Sequence, residues 1–267
     1  MDLRRLVRHE LRVRKLRVKA IEKPTPGMAR ITLTGDALRG FVTAAPDDHV
    51  KLLVPARGTD EPLLPVIEGG RLHWPERGAR AIARDYTPVR FDPERQELDL
   101  EIVLHPGGHL ASWVSQAEVG DVAGLAGPRG SHLIDAPLAG LLLVGDETAL
   151  PAIRRWLREL PAEVRVLALI EVRNAGERQR LTTSAQARIE WLERGEAAPG
   201  TTNLLVNALA RSTLPEPLTH AWLAGEANTV RLLRAHLETD RAFPAERISA
   251  RGYWKRGVLD HQEPHRD

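Results

Sequence analysis

The sequence predicts a two-domain chain: an N-terminal antiparallel β-barrel over residues 1–137, then a C-terminal α/β parallel-sheet domain over residues 138–267 that ends in an aromatic and basic segment. Two observations carry this. Through the first half, short segments alternate apolar and polar side chains and are cut by turn residues, as antiparallel strands do. Near residue 138 the pattern changes to continuous apolar runs alternating with helical spacing, as in a parallel sheet covered by helices. A length of 267 residues suits one large or two small domains.

From Leu11 to about Ile134 the chain reads as short strands. Arg30 to Thr34 alternates with period two, and so does Glu97 to Ile102, which runs on into Val103 and Leu104. Turns are expected at Pro24 to Gly27, Gly35-Asp36, Glu68 to Gly70 and Asp92 to Glu94. A helical piece follows Gly108, around Leu110, Trp113 and Val114. The boundary is expected at Pro137-Leu138. Leu141 to Val144 reads as a strand buried on both faces. Pro151 suits the first turn of a helix carrying Ile153, Trp156, Leu157 and Leu160. Further strands are expected at Val164 to Ile170, 203–206, 220–224 and Ile248 to Ala250, with a helix presenting Val230, Leu233 and Leu237; Gly195 to Thr202 reads as a loop.

The chain has no cysteine, which excludes disulfides, thiolate nucleophiles and cysteine-ligated zinc or iron–sulfur centres. It permits a cytoplasmic setting. No apolar run reaches the roughly 20 residues of a membrane helix, and the basic N-terminus lacks the apolar stretch of a secretory signal. Residues 1–30 carry ten Lys/Arg against three acids. Without interleaved aromatics this excess reads as a solvated strand face rather than a nucleic-acid arm.

Five segments bear chemistry. In Arg84-Asp85-Tyr86-Thr87-Pro88 an arginine fork suits phosphate and a tyrosine on the same strand face suits a flat ring. The bland alternative is an edge strand stopped by Pro88. In His105-Pro106-Gly107-Gly108-His109-Leu110-Ala111-Ser112 a glycine turn opens a helix, whose N-terminal amides suit phosphate; an ordinary strand–turn–helix junction reads equally well. Two histidines without a third ligand make a poor metal site, and none is expected. In Gly145-Asp146-Glu147-Thr148-Ala149 a glycine ends the first buried strand, where open α/β sheets bind dinucleotides, although the three-glycine fingerprint is absent. Gly225-Glu226 repeats that placement. Gly252-Tyr253-Trp254-Lys255-Arg256-Gly257 could cover a ring or hold an anion, or pack its aromatics on the sheet.

The order of these segments, with Asp47 to Leu52, Val103-Leu104-His105 and Leu125 to Gly130 between them, resembles the siderophore-interacting proteins, flavin-dependent ferric-siderophore reductases of the ferredoxin–NADP reductase superfamily. The similarity spans about Val13 to Gly257. It implies that Arg84, Tyr86 and Thr87 hold FAD, continued by Val103, His105, Gly107, Gly108, Ala111 and Ser112. It implies that Asp146, Thr148, Ala149, Gly225 and Glu226 meet NADPH or NADH, with Trp254 at the cofactor. The chain departs from the pattern at His109-Leu110, where Pro-Ala is common, and at Val89, where an arginine is common.

The implied activity passes electrons from NAD(P)H through FAD to a ferric siderophore, releasing ferrous iron with no protein metal ligand. A basic pocket of Lys51, Arg129, Arg247, Arg251, Lys255 and Arg256 is expected to attract the anionic chelate. Glu171 could bond a ribose hydroxyl and favour NADH, or Arg173 could meet the extra phosphate of NADPH. A monomer without nucleic-acid or membrane partners is expected. The rivals are a flavoprotein reductase with another acceptor and a siderophore-binding protein without turnover.

Overall fold

The computed structural model describes residues 4–105 and 107–258. Pro106 and the last nine residues of the expected C-terminal domain lie outside the described residues. The chain divides into two compact units, residues 5–133 and residues 134–267 with 1–4.

The first unit is all-β with one helix. Its strands are β1 (Arg4–Arg8), β2 (Val13–Thr25), β3 (Met28–Thr34), β4 (Val50–Val54), β5 (Val66–Glu68), β6 (Arg71–His73), β7 (Ile82–Tyr86), β8 (Pro88–Asp92) and β9 (Glu97–Val103). Helix α1 (His109–Gln116) follows, then β10 (Val122–Ala126) and β11 (Gly130–Ile134). Seven strands form one antiparallel sheet in the order β7-β4-β10-β2-β3-β9-β8. Its two edge strands, β7 and β8, are separated in the chain by Thr87 alone. One residue cannot span a flat seven-stranded sheet, because neighbouring strands lie about 4.8 Å apart. The sheet therefore curls until its edges meet, and Thr87 sits at the seam. Pro88 has no amide to offer a ladder, which suits it to an edge.

The inside of the barrel is apolar, with Leu16, Ile31, Leu33, Leu52, Leu98, Leu100 and Leu125 in one cluster. On β9 the intervening acids Glu97, Asp99 and Glu101 are met across the sheet. Lys19 pairs with Glu97, Arg90 Nε donates to Asp99 at 2.7 Å, and Arg30 Nη2 donates to Glu101 at 2.6 Å. Lys19 and Arg30, from the basic N-terminal stretch, thus answer acids within the barrel.

The second unit alternates strand and helix: β12 (Gly140–Gly145), α2 (Leu150–Glu159), β13 (Arg165–Val172), β14 (Gln186–Glu193), α3 (Leu204–Arg211), β15 (His220–Glu226), α4 (Ala227–Thr239) and β16 (Ile248–Trp254). The strands pair in parallel in the order β14-β13-β12-β15-β16. Two expectations are corrected. Residues 203–206 open helix α3 rather than a strand. Leu205, Ala208 and Leu209 are buried at helical spacing, a period that a four-residue window cannot show. Strand β14 is absent from the sequence reading. Ala187, Ile189 and Trp191 do alternate along it, but charged neighbours mask the run.

Candidate functional site

The barrel seam brings the first segment together. Arg84 and Tyr86 lie two residues apart on β7, opposite Leu52 and Val50 of β4. The Tyr86 ring packs against the barrel core, and burial pushes its phenol well above the ordinary range, so the hydroxyl stays neutral. Arg84 Nη1 donates to the Ala83 carbonyl at 2.7 Å, and Thr87 is buried. Asp85 points to the other face of the strand.

Helix α1 packs near β3, β7 and β9, and its N-terminus opens on a cleft of about 490 Å³. His105, Gly107, Gly108, Ala111 and Ser112 line it, and so does Arg57, which the sequence reading did not single out. Arg84, Tyr86, Thr87 and Val103 are not among the lining residues; they stand on the neighbouring strands. Among the described residues no side chain caps α1, so its first amides are left for an external acceptor or water. A Cβ on Gly108 would stand 2.4 Å from His105 Cε1, so the histidine ring lies against bare backbone at the helix start. Among the described residues no carboxylate lines the cleft.

The turn after β12 is built differently. Asp146 is buried, and each of its carboxylate oxygens accepts two hydrogen bonds. Oδ1 takes the Thr148 amide at 2.9 Å and the Thr148 hydroxyl. Oδ2 takes the Glu226 amide at 3.0 Å and Trp254 Nε1 at 2.8 Å. Burial, then the neighbouring Glu147, pushes the Asp146 carboxyl above the ordinary aspartate range despite these bonds. Gly225 has φ +139°, and a Cβ there would stand 2.6 Å from Asp146 Oδ2. Glu226 caps α4 by accepting the Thr229 amide at 2.9 Å. Ala149 is fully buried against Gly145, where a Cβ would come within 2.4 Å of it.

Asp146, Thr148, Ala149, Gly225, Glu226 and Trp254 therefore do converge, but on one another. The two carboxylates occupy the Thr148, Glu226 and Thr229 amides. Next to them Arg194, at the end of β14, forks onto both oxygens of Glu147 and stands 3.9 Å from Glu171. Burial lowers the guanidinium of Arg194, but its bonds to Glu147 outweigh this and raise it overall. Glu171 also accepts the Thr202 hydroxyl at 2.8 Å, and burial holds its carboxyl above the ordinary range. Arg194, Glu147 and Thr202 were missing from the expected site. With β14 unrecognised, nothing in the sequence placed Arg194 at a strand end.

The expected basic residues fall in both units. In the first, Lys51 Nζ is held 2.9 Å from both carboxylate oxygens of Asp85, its cross-strand partner, so its charge is already answered. Arg129 is exposed just before β11. In the second, Arg247 precedes β16, Arg251 lies within it, and Lys255 and Arg256 are exposed just beyond it. Among the described residues no three potential ligands cluster to hold a metal, and no helix is long and apolar enough to cross a membrane.

Comparison with known proteins agrees over both units. Residues 17–132 match the siderophore-interacting FAD-binding domain, and residues 138–257 match the siderophore-interacting protein model. The NADPH-dependent ferric-chelate reductase of Escherichia coli is 37% identical over 93% of this chain and 95% of its own length. The ferric vibriobactin reductase of Vibrio cholerae is 31% identical over 89% of each. The crystal structure of a siderophore utilization protein from T. fusca superposes with a TM-score of 0.90 at 36% identity, covering 97% of this chain and 98% of that one. A seam-closed flavin-type barrel followed by a five-stranded parallel sheet, matched along nearly its whole length, makes this chain a member of the siderophore-interacting protein family.

Proposed function

We propose that this chain is an FAD-dependent ferric-siderophore reductase, passing electrons from NADPH through FAD to a ferric chelate and releasing ferrous iron. The observation that carries the reading is the acid-free cleft at the uncapped start of α1, inside the stretch that matches a siderophore-interacting FAD-binding domain. The likeness to an NADPH-dependent ferric-chelate reductase supplies the reaction class.

The residues fit FAD. The α1 amides and the Arg84 fork suit its diphosphate. Tyr86, neutral and packed on the barrel core, offers a ring face beside the seam. His105 backs Gly108 and keeps the helix start in place. Thr87, Val103, Gly107, Ala111 and Ser112 complete the surface. FAD supplies the exchange between a two-electron donor and a one-electron acceptor.

The donor reading favours NADPH. Glu171 is committed to Thr202 and Arg194, so it is a poor ribose partner. Arg173, just past β13, holds an exposed pair with Glu196, at 3.2 Å. Such pairs contribute about 0–1 kcal/mol, and a phosphate can displace the carboxylate. In the second unit Arg247, Arg251, Lys255 and Arg256 supply positive charge for an anionic chelate; in the first, Arg129 and the Asp85-bound Lys51 are the candidates. The protein works as a cytoplasmic monomer. The test is a ferrous-trap assay with purified protein, ferric catecholate and NADPH, with and without FAD. Ferrous production that needs both FAD and NADPH supports the reading; none under any combination refutes it.

A further inference from the structure

Several arginines of the barrel unit meet acceptors away from the cleft. Arg12 donates to Glu10, Arg30 to Glu101 and Arg90 to Asp99, while Arg14 is buried on the carbonyls of Ala37 and Gly127. Arg57 lines the cleft instead. It lies in the loop that follows β4, exposed, and its Nε donates to Nδ1 of His109 at 3.4 Å. Among the described residues no carboxylate pairs with it.

His109 is itself fixed. Its Nε2 lies 3.0 Å from the carbonyl oxygen of Pro55, which can only accept, so Nε2 carries the proton. Nδ1 is then a lone pair, the only form that can receive the Arg57 Nε–H. The imidazole is a neutral strut between the start of α1 and the loop after β4. It turns the arginine by its Nε edge and leaves the two Nη groups at the other end of the fork. Arg57 lines the same cleft as Gly107, Gly108 and Ser112. A positive fork, helix amides and no acid make the cleft a site for a dianionic group.

We propose that Arg57, oriented by His109, is a second arginine grip on the diphosphate of FAD, supplied by the loop after β4 and working with Arg84. This rests on the FAD reading and deepens it. It also gives a physical role to His109, the residue at which this chain departs from its family's Pro-Ala pattern. Arg57 would be a binding residue, and His109 a positioning residue acting through it.

The test compares FAD with riboflavin, which has the ring but no phosphate, by fluorescence titration of the full-length apoprotein. Arg57→Ala is expected to weaken FAD binding about tenfold or more, the scale of a lost charge-assisted bidentate contact, while leaving riboflavin unchanged. Arg57→Lys keeps the charge but loses the fork and should fall between. His109→Leu should cost FAD less than Arg57→Ala and again spare riboflavin, which a merely structural role would not do. Equal loss for both ligands, or no loss of FAD in Arg57→Ala, overturns the inference while leaving the FAD reading in place. Failure of the unsubstituted protein to bind FAD overturns both.

Discussion

Two turns in this molecule have nearly the same local design and opposite contents. Each leads from a strand through glycine to a helix whose start offers amides. At α1 the residues between His105 and Gln116 include no acid, no side chain caps the helix, and a cleft stands open with Arg57 at its rim. At the turn into α2 the residue after the glycine is Asp146, and its carboxylate takes the Thr148 and Glu226 amides for itself. Among the described residues no side chain caps either α1 or α2; the second turn is filled by a buried carboxylate that takes neighbouring amides, and the first turn holds none.

The largest expected effect comes from disturbing the filled turn. Asp146→Asn removes the charge that burial penalises, which favours the variant. It also replaces one oxygen by an NH2 group facing two donors. Leaving buried donors unsatisfied costs about 1–3 kcal/mol, and with four bonds converging on this carboxylate that loss wins. Urea unfolding followed by tryptophan fluorescence should show a lower midpoint, with FAD affinity unchanged because the flavin cleft belongs to the other unit. A loss of FAD affinity would break the separation drawn between the two turns.

A smaller effect is expected at the open turn. Gly108→Ala pushes a methyl into the His105 ring, at 2.4 Å from Cε1. The ring can swing away, so the fold should survive with little change in melting temperature. FAD affinity should fall about three- to tenfold, the equivalent of about 1 kcal/mol, because the helix start is displaced from its ligand. Unchanged FAD binding in a folded Gly108→Ala protein would show that this helix start does not carry the phosphates.

The sequence made the open turn easier to read than the filled one. The glycine pair, the helix period after it and the Arg-x-Tyr-Thr strand are local signals, and the barrel delivers them to one region through its seam. Arg57 was hidden because the loop after Val54 has no period to read, and its link to His109 spans 52 positions. In the second unit the sequence singles out Asp146, Glu226 and Trp254, but spacing does not show that they bond one another. The bond from Trp254 to Asp146 joins residues 108 apart. Arg194 was lost with β14, whose apolar residues alternate with charges on an edge strand. Helix α3 was misread because Leu204-Leu205-Val206 is as good a strand as a helix start until Ala208 and Leu209 are counted.

The most direct test of the account is spectroscopic. Purified protein loaded with FAD is titrated anaerobically with NADPH, then with a ferric catecholate chelate, and the oxidised flavin absorbance is followed throughout. The account requires bleaching on NADPH and full recovery on the chelate, with two ferric ions reduced per NADPH consumed. A flavin that NADPH does not bleach, or a bleached flavin that the ferric chelate fails to reoxidise, would contradict it.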